Sequence, residues 1–202
     1  MLTIWGRLNS HNVKKIAWAA IEMGIPHRRI DIGGKFGFTP EYLAMNPNRM
    51  IPTIEDDGFI LWESNAILRY LTHKYAPALT SADPQQRAAA DKWMDWQFHY
   101  ADAQRDAFVG LVRLAPEQRN RDAIARSAEA CGAMMRILDT ELARQPWLSG
   151  PNFGIADIPM GVYAHTFHSL EIGRPELPHL SDWYARLQLR DGYRDTVMIP
   201  LT

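Results

Sequence analysis

The stretch Asn46 to Tyr75, NPNRMIPTIEDDGFILWESNAILRYLTHKY, narrows the fold more than any other. Thr53 to Glu55 and Phe59 to Trp62 are short apolar and β-branched runs on either side of Asp56-Asp57-Gly58, and an Asp-Gly pair between such runs specifies a tight β-hairpin. Glu63-Ser64-Asn65 then offers capping side chains ahead of Ala66, Ile67, Leu68 and Leu71, which predicts a helix to about Tyr75. A helix that starts where a hairpin ends brings its free N–H groups, its positive dipole end and the Ser64 hydroxyl to one place. That combination suits a small carboxylate, and Glu63 beside it suits an ammonium. Together they match the two charges of an α-amino acid head group. Pro52, at the hairpin entry, belongs on an edge or at a special bend and leaves neighbouring backbone free for a ligand.

Upstream, Leu2 to Trp5 is a short apolar strand, followed by the loop Gly6-Arg7-Leu8-Asn9. From Val13, apolar residues recur at three and four (Val13, Ile16, Ala17, Ala20, Ile21), giving one face of a helix that stops at Gly24. His27 to Ile32 is the next strand, and a strand-helix-strand unit of this length implies parallel pairing with a right-handed crossover. The first half thus reads βαβ, then ββα. Gly33 to Phe38 is a loop, and it lacks the Gly-x-x-x-x-Gly-Lys frame of a phosphate loop. Thr39-Pro40-Glu41 opens a short helix.

After Tyr75 the pattern is wholly helical. Two prolines and the turn residues Ser81 and Asp83 mark a boundary, giving residues 1–76 as one domain, 77–84 as linker and 85–202 as an all-helical domain. Trp93, Trp96, Gln97, Tyr100 and Gln104 share a helical face, read as core or subunit interface. Ile124, Ala128, Cys131, Met135, Leu138 and Leu142 mark a long bundle helix whose single cysteine serves as a small hydrophobe. Leu180 to Leu187 is a final amphipathic helix.

Formal net charge is −1 from 22 basic and 23 acidic residues, which offers no electrostatic footprint for nucleic acid or an anionic membrane. No run reaches the length of a membrane span, no basic segment precedes a hydrophobic stretch at Met1 to Trp5, and one cysteine permits no internal disulfide. We therefore expect a cytoplasmic protein. The seven histidines are scattered without ligand spacing, so no metal is expected.

Met50-Ile51-Pro52-Thr53, Glu63-Ser64-Asn65-Ala66-Ile67 and Gly154-Ile155-Ala156-Asp157-Ile158 resemble the cytosolic glutathione transferase family, in its bacterial, serine-type, theta- or beta-like branch. The resemblance covers nearly the whole chain. It implies an α+β thioredoxin-like N-terminal domain that binds glutathione as co-substrate, and an all-α helical-bundle C-terminal domain that supplies most of the pocket for a small electrophilic or hydrophobic molecule. It also implies a cis bond before Pro52 and a two-fold homodimer across the helix of Trp93 and Trp96 and the N-terminal domain. The family places Ser or Thr where this chain has Gly154 and uses Asp157 for structural capping, so a serine at 154 is expected to complete the cap, while Pro159 should tighten the first turn.

On this resemblance, Ser10 leads as the residue that stabilises the glutathione thiolate, its equally open alternative being a plain N-cap; Asn12, through its amide, and His11 are further candidates. The Ile51 backbone beside Pro52 would pair with the cysteinyl unit, Glu63 and Ser64 would hold the γ-glutamyl end, and Lys35 and Arg49 would reach the glycyl carboxylate. Leu8, Tyr100, Asp106 and Phe167 would line the second-substrate pocket. Ser10-His11-Asn12-Val13 stands where thioredoxin-like reductases carry a cysteine, which disfavours a protein-disulfide mechanism. Reduction of a disulfide or peroxide by two glutathione thiols, and a non-catalytic binding module, remain the alternatives.

Overall fold

The computed structural model describes residues Met1 to Thr202. Strand β1 (Leu2–Trp5), helix α1 (His11–Glu22) and strand β2 (His27–Ile30) form the expected crossover unit, with β1 parallel to β2. A short helix α2 (Pro40–Met45) follows, capped by the Thr39 hydroxyl, and then β3 (Thr53–Asp56), β4 (Phe59–Trp62) and α3 (Ser64–Tyr75). Strand order is β2-β1-β3-β4, with β3 antiparallel to both neighbours. At the hairpin tip Asp57 and Gly58 have φ of 51° and 87°, the paired positive values that a two-residue turn between right-twisted strands requires. The buried Asp56 carboxylate accepts from the Tyr70 hydroxyl at 2.8 Å, the Tyr75 hydroxyl at 2.8 Å and Lys74 Nζ at 2.7 Å, so the hairpin is tied to the helix it feeds.

The rest is helical: α4 (Pro84–Phe108), running into a wider π-type turn at Val109–Arg113, then α5 (Arg121–Leu142), α6 (Asp157–Ser169), α7 (Pro178–Gln188) and α8 (Asp191–Thr196). The chain thus has the thioredoxin-like first half and the helical second half read from the sequence. One continuous core runs from Leu2 and Ile54 in the sheet, through Trp18 and Leu68, to Trp183, Tyr193 and Val197. No helix is long and apolar enough to cross a membrane. Cys131 is fully buried, and burial raises its thiol pKa, which fits a packing role.

Helix α1 departs from its one-faced reading. Every residue from Val13 to Ala20 is buried, Lys14 and Lys15 included, while Ile21 is 38% exposed. Sheet, α3, α6 and α8 all pack on it, so no side of the helix is left to solvent. Trp93 is likewise 5% exposed and belongs to the core, so it does not supply an aromatic surface for a partner.

The turn before α6 also differs from expectation. Asp157 receives the N–H groups of Leu148 at 2.8 Å, Gly154 at 3.1 Å and Ser149 at 3.3 Å, and the Trp183 indole at 2.9 Å. It staples the preceding loop. Burial pushes its carboxyl pKa up while these donors pull it back. The hydroxyl that Gly154 lacks comes from Ser149, whose Oγ accepts from the Ala156 N–H at 3.0 Å. As expected at Pro159, the first turn is tight: Asp157 and Ile158 donate three residues back, to Gly154 and Ile155.

A Cβ on Gly154 would stand 2.6 Å from the Leu79 carbonyl oxygen and 2.8 Å from Ser149 Cβ, and the Leu79 oxygen is itself fixed by the Ile155 N–H at 2.9 Å. Gly154→Ser should therefore destabilise the protein, reversing the sequence-based expectation, by about 1–3 kcal/mol as overpacking does. Urea unfolding should show a lower midpoint at unchanged slope; a midpoint at or above wild type would mean that the Leu79 strap yields.

Candidate ligand-binding and active site

A cavity of about 360 Å³ opens between the two halves of the chain. Its walls include Asn12 from α1, Ile51 and Pro52 from the loop before β3, Glu63 and Ser64 at the start of α3, Ala101, Asp102 and Arg105 from α4, and Tyr163 from α6. The loop at its base is held from below. Tyr42 donates its hydroxyl to the Met50 carbonyl, and buried Asn46 reaches the same carbonyl at 3.1 Å and Thr53 Oγ1 at 3.0 Å. The Ile51–Pro52 bond is cis, and neither the N–H nor the carbonyl of Ile51 is bonded within the chain. An unpaired backbone donor and acceptor side by side on a fixed loop can pair with the backbone of a short peptide.

At the other wall, Ser64 is 3% exposed and begins α3, and no side chain caps that helix. Its first N–H groups and the Ser64 hydroxyl meet at the cavity, an arrangement that accepts a carboxylate. Glu63, the residue before, is exposed and has φ 73° and ψ 109°. A side chain held in that region costs about 1–3 kcal/mol and persists where surrounding structure enforces it.

The cavity gathers Asn12, Ile51, Pro52, Glu63 and Ser64 from the residues picked out in the sequence, and leaves others apart. Ser10 is the N-cap of α1, its carbonyl accepting from Val13 and Lys14, but its hydroxyl makes no cap bond and is not in the wall. Asn12 is in the wall, and its amide oxygen is buried without a partner. Because amide O and N exchange places by a flip, this unpartnered position can equally hold the amide N–H₂. Lys35, in a 3-10 turn at Gly34–Phe36, and Arg49, on the loop after α2, are exposed and outside the wall. Tyr100 and Phe167 are fully buried core residues, Asp106 is exposed one turn beyond Asp102, and Leu8 stands outside the wall. The helical period had placed Tyr100 with Gln97 and Gln104 correctly, and all three face inward.

Ala101, Asp102, Arg105 and Tyr163 are wall residues that carry no sequence signal. Tyr163 stacks on His11 at 4.7 Å and 11°, and burial first, then Asp102, pushes its phenol pKa up, so it keeps its proton. His11, bonded to Thr166 Oγ1 at 2.7 Å, is pushed down to about 3 by burial and by Lys14 and Lys15, so it stays neutral and is no acid catalyst at neutral pH. A separate cavity of about 700 Å³ lies between Leu111, His165 and Leu201, and none of the residues picked out in the sequence lines it.

The sequence matches two family models, the glutathione S-transferase N-terminal domain over residues 9–74 and the glutathione S-transferase C-terminal domain over residues 121–186. Glutathione S-transferase GstB of Escherichia coli strain K12 is 41% identical, with 100% of both chains covered. The disulfide-bond oxidoreductase YfcG of the same strain is 31% identical and covers 80% of this chain and 78% of its own. Among solved structures, a theta-class glutathione S-transferase from Xanthomonas axonopodis pv. citri with glutathione bound is 46% identical at a TM-score of 0.96, over 100% of this chain and 99% of that one.

The backbone at residue 63 can be probed apart from any ligand. Glu63→Gly releases the strained φ, whereas Glu63→Ala retains it, so the glycine variant should be the more stable by about 1 kcal/mol after glycine's own entropy cost. Paired thermal unfolding of the two reads this difference directly; equal or reversed melting temperatures would show that position 63 is not strained.

Proposed function

Because the chain belongs to the glutathione S-transferase family, as its match to both family models and to the full length of GstB shows, we propose that the cavity between its halves binds glutathione and transfers its thiolate to a small electrophile. The observation behind this reading is that unpaired Ile51 backbone, the start of α3 with Ser64 and Glu63, and the Asn12 amide line one cavity. Ile51 would pair with the cysteinyl unit as one more strand pairs with an edge. Ser64 and the first turn of α3 would take the γ-glutamyl carboxylate, and Glu63 its ammonium.

Asn12 is the donor to sulfur in this mechanism, and Ser10 is left as the N-cap. A thiol at neutral pH is a weak nucleophile, and an amide N–H aimed at the sulfur favours the thiolate and lowers its pKa. The proton departs to water, the thiolate attacks the electrophilic carbon, a carbon–sulfur bond forms, and the leaving group takes the electron pair of the bond it breaks. No cysteine of the protein takes part, since Cys131 is buried in the core. The likeness to YfcG favours a disulfide as a second class of substrate, attacked by the same thiolate at sulfur.

Assembly belongs to the same reading. Strand β4 is a sheet edge with Phe59, Ile60 and Trp62 exposed by 49%, 41% and 39%, and Phe98 of α4, 43% exposed, lines the cavity with Trp62. An edge strand with so much apolar surface needs cover, and a two-fold copy of the chain supplies it. Sedimentation at micromolar concentration should give the dimer mass; the monomer mass would refute this assembly.

Glu63→Ala should weaken glutathione binding at least tenfold, since a charge-assisted contact of this kind contributes about 1.5–3 kcal/mol. Asn12→Ala should leave binding nearly intact while raising the pKa of the bound thiol, read as thiolate absorbance against pH, and conjugation should slow at neutral pH and recover at alkaline pH. Ser10→Ala should leave the titration in place. A shift in Ser10→Ala alone would return the role to the serine, and no shift in either would remove side-chain activation from this loop.

A further inference from the structure

Behind the carboxylate end of the cavity α1 buries a lysine that has no anion bonded to it. Lys15 Nζ, with its side chain fully enclosed, donates to Ser64 Oγ at 3.3 Å, to Asn65 Oδ1 at 3.4 Å and, in a short contact, to Gln97 Oε1. All three acceptors are neutral. The rings of Phe98 and Tyr163 lie 5.5 Å and 5.8 Å from the ammonium. Lysines are almost never fully buried without a carboxylate partner, because desolvation penalises the charge. An ammonium has donors only, so Ser64 Oγ accepts from it, and the Ser64 proton is left free to point into the cavity that Ser64 lines.

We infer that Lys15 is a positioning residue for the carboxylate subsite, aiming the Ser64 hydroxyl and taking up a proton when a carboxylate docks there. The inference rests on the reading above, in which the γ-glutamyl carboxylate of glutathione occupies that subsite. Burial lowers the Lys15 pKa to about 7, against an opposing pull from Glu63, so the open protein holds a mixture of charged and neutral Lys15 at neutral pH. A carboxylate one hydroxyl away favours the charged form.

The groups around Lys15 leave the source of that proton identifiable. On α1 itself His11 stays neutral, at about 3, and Lys14, at about 8, faces away and donates to the Val197 carbonyl beyond α8 at 2.9 Å. From the start of α3 comes Glu63, from α4 the neutral Gln97 with the exposed Asp102–Arg105 pair at the rim, and from α6 Tyr163, which keeps its proton, and His165, at about 4. Strand β1 contributes no ionisable side chain. Between pH 6 and 8, Lys14 is therefore the competing titration on the same helix, and it can be removed by mutation.

The test is calorimetric binding of S-methylglutathione, which has no ionisable thiol, to the intact protein in buffers of different ionisation enthalpy. Wild type should take up about half a proton per site at pH 7, and its affinity should fall about five- to tenfold from pH 6 to pH 8. Lys15→Met should bind more weakly at pH 6 and lose both the uptake and the pH slope. Gln97→Glu, which sets a fixed negative charge against the ammonium, should hold Lys15 charged throughout and abolish uptake while keeping the pH 6 affinity at pH 8. Lys14→Met should retain the uptake. Should Lys15→Met not fold, wild type and Gln97→Glu decide between them. Binding by wild type without proton uptake, uptake that persists in Gln97→Glu, or uptake that disappears in Lys14→Met overturns the inference alone, whereas no binding of S-methylglutathione overturns the glutathione reading beneath it.

Discussion

Burial of α1 on every side from Val13 to Ala20 is the constraint on which the rest of the molecule depends. The sheet, α3, α6 and α8 can close on one another only by closing on this helix, and Trp18, wholly enclosed, meets Tyr193 edge-on at 4.8 Å to lock the last helix onto the first. The cost falls on the two lysines that share the helix. With folded pKa values of about 8 and 7, Lys14 and Lys15 hold fewer protons in the fold than in the unfolded chain from about neutral pH up to the usual lysine range. Fold stability at these positions therefore rises with pH across that window, and at pH 7 both detract from it. An apolar residue at 15 would pack without that penalty, so the penalty marks a function.

The site that α1 supports is mostly main chain. Ile51 offers backbone, α3 offers its first turn, and the side chains that matter most to them stand one step behind. Tyr42 and Asn46 hold the Met50 carbonyl and Thr53, and Asn65, bonded to the Met94 carbonyl at 2.6 Å, fastens the start of α3 to α4. Glu63 is forced into a left-handed backbone between an edge strand and a tethered helix, which turns its carboxylate to the cavity at some expense in stability.

This division explains what could be read from the chain and what could not. Local chemistry is legible: Asp57-Gly58 gives the hairpin, the apolar spacing from Ala66 gives α3 to its end at Tyr75, though Ser64 and Asn65 belong to the helix and no side chain caps it, and Pro52 marks the bend at Ile51. Periodicity gave faces without neighbours. It set Tyr100 beside Gln97 correctly, yet only the fold shows that this face lies in the core and that the wall is built one residue further on, at Ala101, Asp102 and Arg105. Gly154 was misread for a similar reason. The hydroxyl that completes the turn stands at Ser149, and the obstacle to a side chain is Leu79, far away in sequence. Lys15 escaped notice because a lysine beside a lysine on a helix reads as a solvated face.

Asn12 and Lys15 lie three residues apart, on the same side of one rigid helix, so the two ends of the proposed glutathione site are positioned by a single element. Their electrostatic tasks are opposite. At Asn12 a bound thiol gives up a proton as an amide N–H favours its anion; at Lys15, behind Ser64, a proton is gained as a carboxylate approaches from the cavity. Rising pH favours the first step and opposes the second. A site organised in this way answers the charge of the docking carboxylate with the proton gained at Lys15, and leaves the charge created at sulfur to the Asn12 amide. Stabilisation by a fixed amide N–H leaves the thiolate unpaired with an ammonium, which would hold the nucleophile and blunt it.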